Sequence, residues 1–180
     1  FAESCIVANT MFYFYGSSKS RASGAASVND AVKQINAYKG AKDVSAVTYD
    51  EMENIRSITY NHIERRLRGE EVTDYVVTYN SVGAIASKAV YFYGNSVVRA
   101  PAALGDDCVK QINTYKGSKD ITGTTAEDLI SIKSITYNHI AGREKGQEVT
   151  DYVVNYNLKG EMLTKSVYFY GADAVRADAA

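Results

Sequence analysis

An ungapped internal duplication constrains this chain more than any other feature. Residues 31–102 align on 108–179 without insertion, and 41 of these 72 positions are identical. VKQINAYKG at 32–40 returns as VKQINTYKG at 109–117, and SITYNHI at 57–63 is unchanged at 134–140. EVTDYVVTYN at 71–80 becomes EVTDYVVNYN at 148–157, and KAVYFYG at 88–94 becomes KSVYFYG at 165–171. Chance does not produce a match of this length, so the fold is built from two like modules.

A shorter string occurs three times. Tyr-Phe-Tyr-Gly, four residues, then Arg-Ala appears at Tyr13–Gly16 with Arg21, at Tyr91–Gly94 with Arg99, and at Tyr168–Gly171 with Arg176. The body of the module occurs only twice, so one copy of this segment is surplus at one end. The expected division is a terminal strand and linker over 1–26, module 1 over 27–102 and module 2 over 103–180.

Within a module, Val28, Val32, Ile35 and Tyr38 recur at helical spacing, Ser27 and Asp30 form a capping box ahead of them, and Gly40 follows as a stop. Asp106, Val109, Ile112, Tyr115 and Gly117 repeat the pattern. A short helical turn is expected at Thr48 with Glu51, and again at Thr125 with Asp128. Strand signals rich in Val, Ile, Thr and Tyr follow at 57–63, 72–80 and 85–93. Short connections favour an antiparallel meander. The expected fold class is therefore α+β: two tandem modules, each a helix on an antiparallel sheet, plus a surplus N-terminal strand.

That strand, over 5–15, differs from its internal copies. Ile6, Ala8, Thr10, Phe12 and Phe14 share one face, because strand side chains alternate. The equivalent face carries Lys88 or Lys165 in the copies, whereas residues 4–18 hold no charged side chain. Left exposed, such a strand invites aggregation. Two schemes bury it. It completes the first module of its own chain, or it inserts into a neighbour's sheet as a donated strand with Ile6, Ala8, Thr10, Phe12 and Phe14 as anchors. A head-to-tail contact of the second kind that does not close gives an open filament.

This layout, a modular chain with an uncharged terminal strand, resembles subunits of strand-donating extracellular pilus-like filaments in organisation only. No specific motif of such a family is matched. Phe1 is not followed by the long apolar helix of type IV pilins, and no sortase-type motif occurs. The resemblance implies a homopolymer whose partner is a second copy of the chain.

The remaining side chains give little chemistry. Cys5 and Cys108 depart from the module pattern, aligning with Gly83 and Ala31 respectively, and the expectation is a disulfide between them. Such a bond belongs outside a reducing cytosol, hence an extracellular or cell-surface location. His62 and His139 are repeat equivalents with no Cys, Asp or Glu at ligand spacing, so a structural role is expected and no metal. Asp74, Asp151, Asp106 and Asp107 read as turn or helix-start residues rather than paired catalytic carboxylates. Arg21, Arg99 and Arg176 stand at a fixed place after each Tyr-Phe-Tyr-Gly. Each either forks onto a carboxylate or is a solvated charge. The ladder of Tyr60, Tyr75, Tyr79, Tyr91 and Tyr93 is cross-strand packing or a stacking surface for sugars.

With 20 Lys and Arg against 21 Asp and Glu, nothing marks a nucleic-acid surface. No apolar run is long enough for a membrane helix. No phosphate loop, nucleophile elbow or dinucleotide fingerprint is present. The expectation is a non-enzymatic structural protein without cofactors, and the alternative is a secreted adhesin- or lectin-like binding module that takes surface glycans.

Overall fold

The computed structural model describes residues 7–24, 27–45 and 47–179. The expected α+β architecture does not form. Among the described residues the only helical element is a 3-10 turn, Ala100–Ala102, and nearly everything else of regular structure is antiparallel sheet. In chain order the strands are β1 Asn9–Tyr15, β2 Ser20–Arg21, β3 Val32–Lys39, β4 Ile55–His62, β5 Val72–Tyr79, β6 Ile85–Tyr93 and β7 Val98–Arg99 in the first part. They continue as β8 Val109–Lys116, β9 Ile132–His139, β10 Val149–Tyr156, β11 Met162–Val167, β12 Phe169–Tyr170 and β13 Val175–Arg176.

The long strands form one meander, β1-β3-β4-β5-β6-β8-β9-β10-β11, with β2 beside β1 and β7 beside β6. Both modules therefore share a single sheet. Its repeating unit is four strands, and β1, β6 and β11 hold equivalent places.

The predicted helices at 27–38 and 106–117 are strands β3 and β8. The apolar spacing that suggests a helix is outweighed by a period-two pattern of polar residues. Gln34, Asn36 and Tyr38 alternate along β3 and are buried, at 1%, 0% and 0% exposure. Their donors are satisfied within the ladder and by carbonyls of the segment that crosses over them, 47–54, whereas Gln34 Oε1 has no hydrogen-bond partner among the described residues. Gln34 Nε2 donates to Asn36 Oδ1 at 2.8 Å and to the Tyr49 carbonyl at 2.7 Å; Asn36 Nδ2 donates to the same carbonyl at 3.0 Å; the Tyr38 hydroxyl donates to the Glu51 carbonyl at 2.9 Å. Gln111, Asn113 and Tyr115 repeat this ladder on the carbonyls of Ala126 and Asp128. A helix would aim these residues in different directions and leave buried amides without partners, at a cost of about 1–3 kcal/mol each.

The supposed capping box closes a reverse turn instead. Ser27 N–H donates to Asp30 Oδ2 at 2.8 Å and Asp30 N–H to the Ser27 carbonyl at 3.1 Å. The helical turns expected after Thr48 and Thr125 are likewise single reverse turns, closed by Glu51 N–H on Thr48 O and Asp128 N–H on Thr125 O.

One face of the sheet carries the core, under these loops. Phe12 and Phe14 from β1 meet Tyr38, Val47, Ile55 and Ile58, and the next repeat matches them with Val90, Phe92, Tyr115, Ile121, Ile132 and Ile135. A smaller cluster of Val72, Tyr93, Ala100 and Ala103 closes one end of the strands. Gly94, the last residue of the second Tyr-Phe-Tyr-Gly, has φ +64°, and a Cβ there would meet the Asp107 carboxylate at 3.3 Å. That close approach, together with the left-handed backbone, explains glycine at this turn. Three residues later the turn returns to positive φ in every copy, at Lys19, Val97 and Ala174.

Candidate functional site: the joint between repeats

A set of charged and aromatic groups lies where β5 of one repeat meets β6 of the next. On β5 the register slips between Thr73 and Tyr75: Thr73 faces Asn61 and Tyr75 faces Tyr60, so Asp74 is the extra residue of a bulge. A bulge re-aims a side chain that strict alternation would send to the other face. Asp74 thereby comes within reach of Arg99 on β7. Arg99 Nε donates to Asp74 Oδ1 at 2.9 Å and Nη2 lies 2.7 Å from the same oxygen. Its remaining arm, Nη1, donates to the Ile121 carbonyl at 3.0 Å in the loop of the second repeat. One guanidinium thus ties the last strand of one repeat to the covering loop of the next.

Beside this tie runs a groove of about 780 Å³ lined by Tyr60, Tyr75, Tyr79, Lys88, Arg99 and Asp120 among others. Tyr60 and Tyr75 stack across the strands with centroids 4.6 Å apart. Burial, reinforced by Tyr75 and Tyr79, pushes the Tyr60 hydroxyl up to about 12. Tyr137 and Tyr152 repeat the stack at 4.5 Å. Tyr93 is buried, and its hydroxyl donates to the Thr73 carbonyl at 2.6 Å; Tyr91 packs at the rim of the same cluster.

The two ends of the sheet each carry half of the joint. At the C-terminal end, Asp151 is again a bulge residue, between Thr150 and Tyr152, and Arg176 holds its Oδ1 at 2.6 Å. Among the described residues no loop receives the other arm or covers the strand. Val167 and Phe169, equivalents of Val90 and Phe92, are 37% and 60% exposed, whereas Val90 and Phe92 are 0% and 1%. At the N-terminal end the loop half is present. Arg21 Nη1 donates to the carbonyls of Val44 at 3.3 Å and Val47 at 3.5 Å, and the guanidinium lies over the Phe12 ring at 4.6 Å. Among the described residues no carboxylate lies within ion-pair reach of Arg21.

The other sequence-derived candidates are spread out. Phe12 and Phe14 are buried in their own chain, Thr10 is half-buried and Ala8 exposed; Ile6 lies outside the described residues. So does Cys5, the expected partner of Cys108. The Cys108 thiol is buried and donates to the Arg143 carbonyl at 3.3 Å, and burial followed by the nearby Glu148 carboxylate raises its pKa. His62 is half-buried, and burial followed by Arg66 holds its pKa below the usual imidazole value. Asp107 closes a turn on Leu104 N–H at 2.7 Å, and Asp106 lines the cleft beside it. Among the described residues no group of three or more His, Cys, Asp or Glu is placed to hold a metal ion. None of their helices is long and apolar enough to cross a membrane.

The sequence reading missed the role of Asp74 and Asp151 as partners of Arg99 and Arg176, because a bulge is invisible in a period-two pattern. It also missed the Gln34-Asn36-Tyr38 ladder, whose signal is the alternation of Gln, Asn and Tyr over identical spacing in both copies.

Compared with known proteins, the chain matches no family model, no curated protein and no solved structure.

Proposed function

We propose that this chain is a structural protomer of an extracellular pilus-like filament, a homopolymer assembled head-to-tail through its N-terminal strand. The observation that supports this reading is the complementarity of the two sheet ends. Among the described residues the N-terminal end has an arginine and a covering loop without a paired carboxylate. Among the described residues the C-terminal end has the carboxylate without a covering loop. Joined, they reproduce the internal Asp74–Arg99–Ile121 tie. Among the described residues the outer edge of the N-terminal strand is paired only at Phe14 and Tyr15, by β2, and Val7, Met11 and Tyr13 are 50%, 54% and 42% exposed. A long uncharged edge with exposed apolar side chains is a template for another strand. In this reading β1 stays paired with β3 while its outer edge enters the neighbour's sheet.

Negative-stain microscopy and sedimentation velocity over a concentration series test the reading. The intact chain is expected to form unbranched fibres that lengthen with concentration. A Met11→Lys variant, with a charge on that edge, is expected to fold normally and stay monomeric. A parent chain that sediments as a monomer at every concentration overturns the filament.

A second reading has its own observation in the groove of Tyr60, Tyr75 and Tyr79 beside Asp120 and Lys88. Aromatic faces flanked by charged groups suit a sugar ring, which would make the chain a glycan-binding module. A glycan array with the parent and a Tyr79→Ala variant separates this reading from a purely structural one.

A further inference from the structure

If the chain assembles head-to-tail as proposed above, its C-terminal strand stands where the neighbour's N-terminal strand must go. We propose that β11–β13 is a displaceable place-holder, and that on assembly Asp151 exchanges Arg176 of its own chain for Arg21 of a second copy.

The internal joint gives the template. There, β5 meets β6 with Tyr75 opposite Val90 and Val77 opposite Lys88, and β7 pairs with the same β6 further along, at Phe92 and Tyr93. Both neighbours fit on one strand edge. At the C-terminal end the same places on β10 are taken by β11: Tyr152 faces Val167 and Val154 faces Lys165. If β1 of a second copy takes these places in the same register, its Phe12 faces Tyr152 and its Thr10 faces Val154. Its β2 lies beyond the joint, as β7 does inside the chain.

The two candidate strands are held very differently. All six residues of β11 are exposed, and its single long neighbour is β10. Phe12 and Phe14 of β1 are 2% and 1% exposed because β1 brings its own β3 and covering loop. Exchange therefore gives up a thinly covered strand and admits one whose core is already built. The strand hydrogen bonds lost on β10 are replaced in kind. The gain is burial of Met11 and Val7 against Val153 and Tyr156, and cover for the Tyr152 and Tyr156 side chains from the incoming loop. Arg21 already holds its loop carbonyls at Val44 and Val47, so only the carboxylate is wanting, and Asp151 is that carboxylate's repeat equivalent. Asp151 is paired to an arginine whose side chain is 44% exposed, a weaker hold than the 21% of Arg99.

The full chain carrying either Arg21→Asp or Asp151→Arg tests this by sedimentation velocity, alone and in equal mixture. Alone, each places like charges at the joint and is expected to remain monomeric at concentrations at least about tenfold above those at which the parent assembles. Mixed, both kinds of joint are again oppositely charged, and assembly is expected to return, which also shows that both variants are folded. A third variant, Arg176→Ser, loosens the place-holder and is expected to assemble at lower concentration than the parent. Assembly of Arg21→Asp alone at the parental concentration, or slower assembly of Arg176→Ser, overturns the exchange while leaving the filament standing. Parent and Arg176→Ser both monomeric throughout overturns the filament reading itself.

Discussion

Arg99 grips Asp74 through two nitrogens on one oxygen, at 2.9 and 2.7 Å, and so couples two repeats that no α-helix joins. Arg176 holds Asp151 in nearly the same geometry, at 3.0 and 2.6 Å, but with its guanidinium far more open to water. Charge-assisted pairs that are partly buried contribute more than exposed ones, because leaving one partner alone in a poorly solvated place is costly.

Asp74→Asn is therefore expected to lower stability by about 1–3 kcal/mol. Asp151→Asn is expected to lower it by less than about 1 kcal/mol. Urea midpoints of the two variants under monomeric conditions check the order, and equal losses would mean that the joint contributes no more than the open end.

Removing a rung of the buried amide ladder is expected to release the loop above it. Asn36 is fully buried, donates to Tyr38 Oη and Tyr49 O and accepts from Gln34 Nε2, so Asn36→Ala removes the donor to Tyr38 Oη, one of two donors to Tyr49 O, and an acceptor of Gln34. A loss of about 2–3 kcal/mol is expected. Hydrogen exchange should speed up over 40–54 before it does so in β8 and β9. Uniform acceleration across the sheet would show that the ladder supports the whole fold rather than its own loop.

Stability is expected to fall at alkaline pH in a way that Tyr60 controls in part. Its folded hydroxyl is pushed up to about 12 by burial, above the 10.0 of a free tyrosine. Between these values the unfolded chain loses that proton and the folded one keeps it. The contribution is thus fully present below pH 10 and is lost as pH rises through the folded value. Phenolate absorbance should show a late-titrating group that disappears in Tyr60→Phe, and that variant should lose stability less steeply above pH 10. Identical titration curves for parent and variant would refute the assignment.

The sequence by itself determined the repeat, the threefold recurrence of Tyr-Phe-Tyr-Gly with its arginine, and three strands expected at 57–63, 72–80 and 85–93, which the structure forms at Ile55–His62, Val72–Tyr79 and Ile85–Tyr93. These are legible because identity between copies and the alternation of Val, Ile, Thr and Tyr are local facts. It misdirected the reading at 32–39, where Val28, Val32, Ile35 and Tyr38 happen to satisfy a helical period while Gln34, Asn36 and Tyr38 satisfy a strand. Only tertiary structure decides between them, because the deciding energy lies in bonds from the two amides and the Tyr38 hydroxyl to carbonyls 13 to 15 residues away. The same holds for the role of Asp74. Its side chain reaches Arg99 through a one-residue slip against β4, and a slip of register exists only between two strands, never within one.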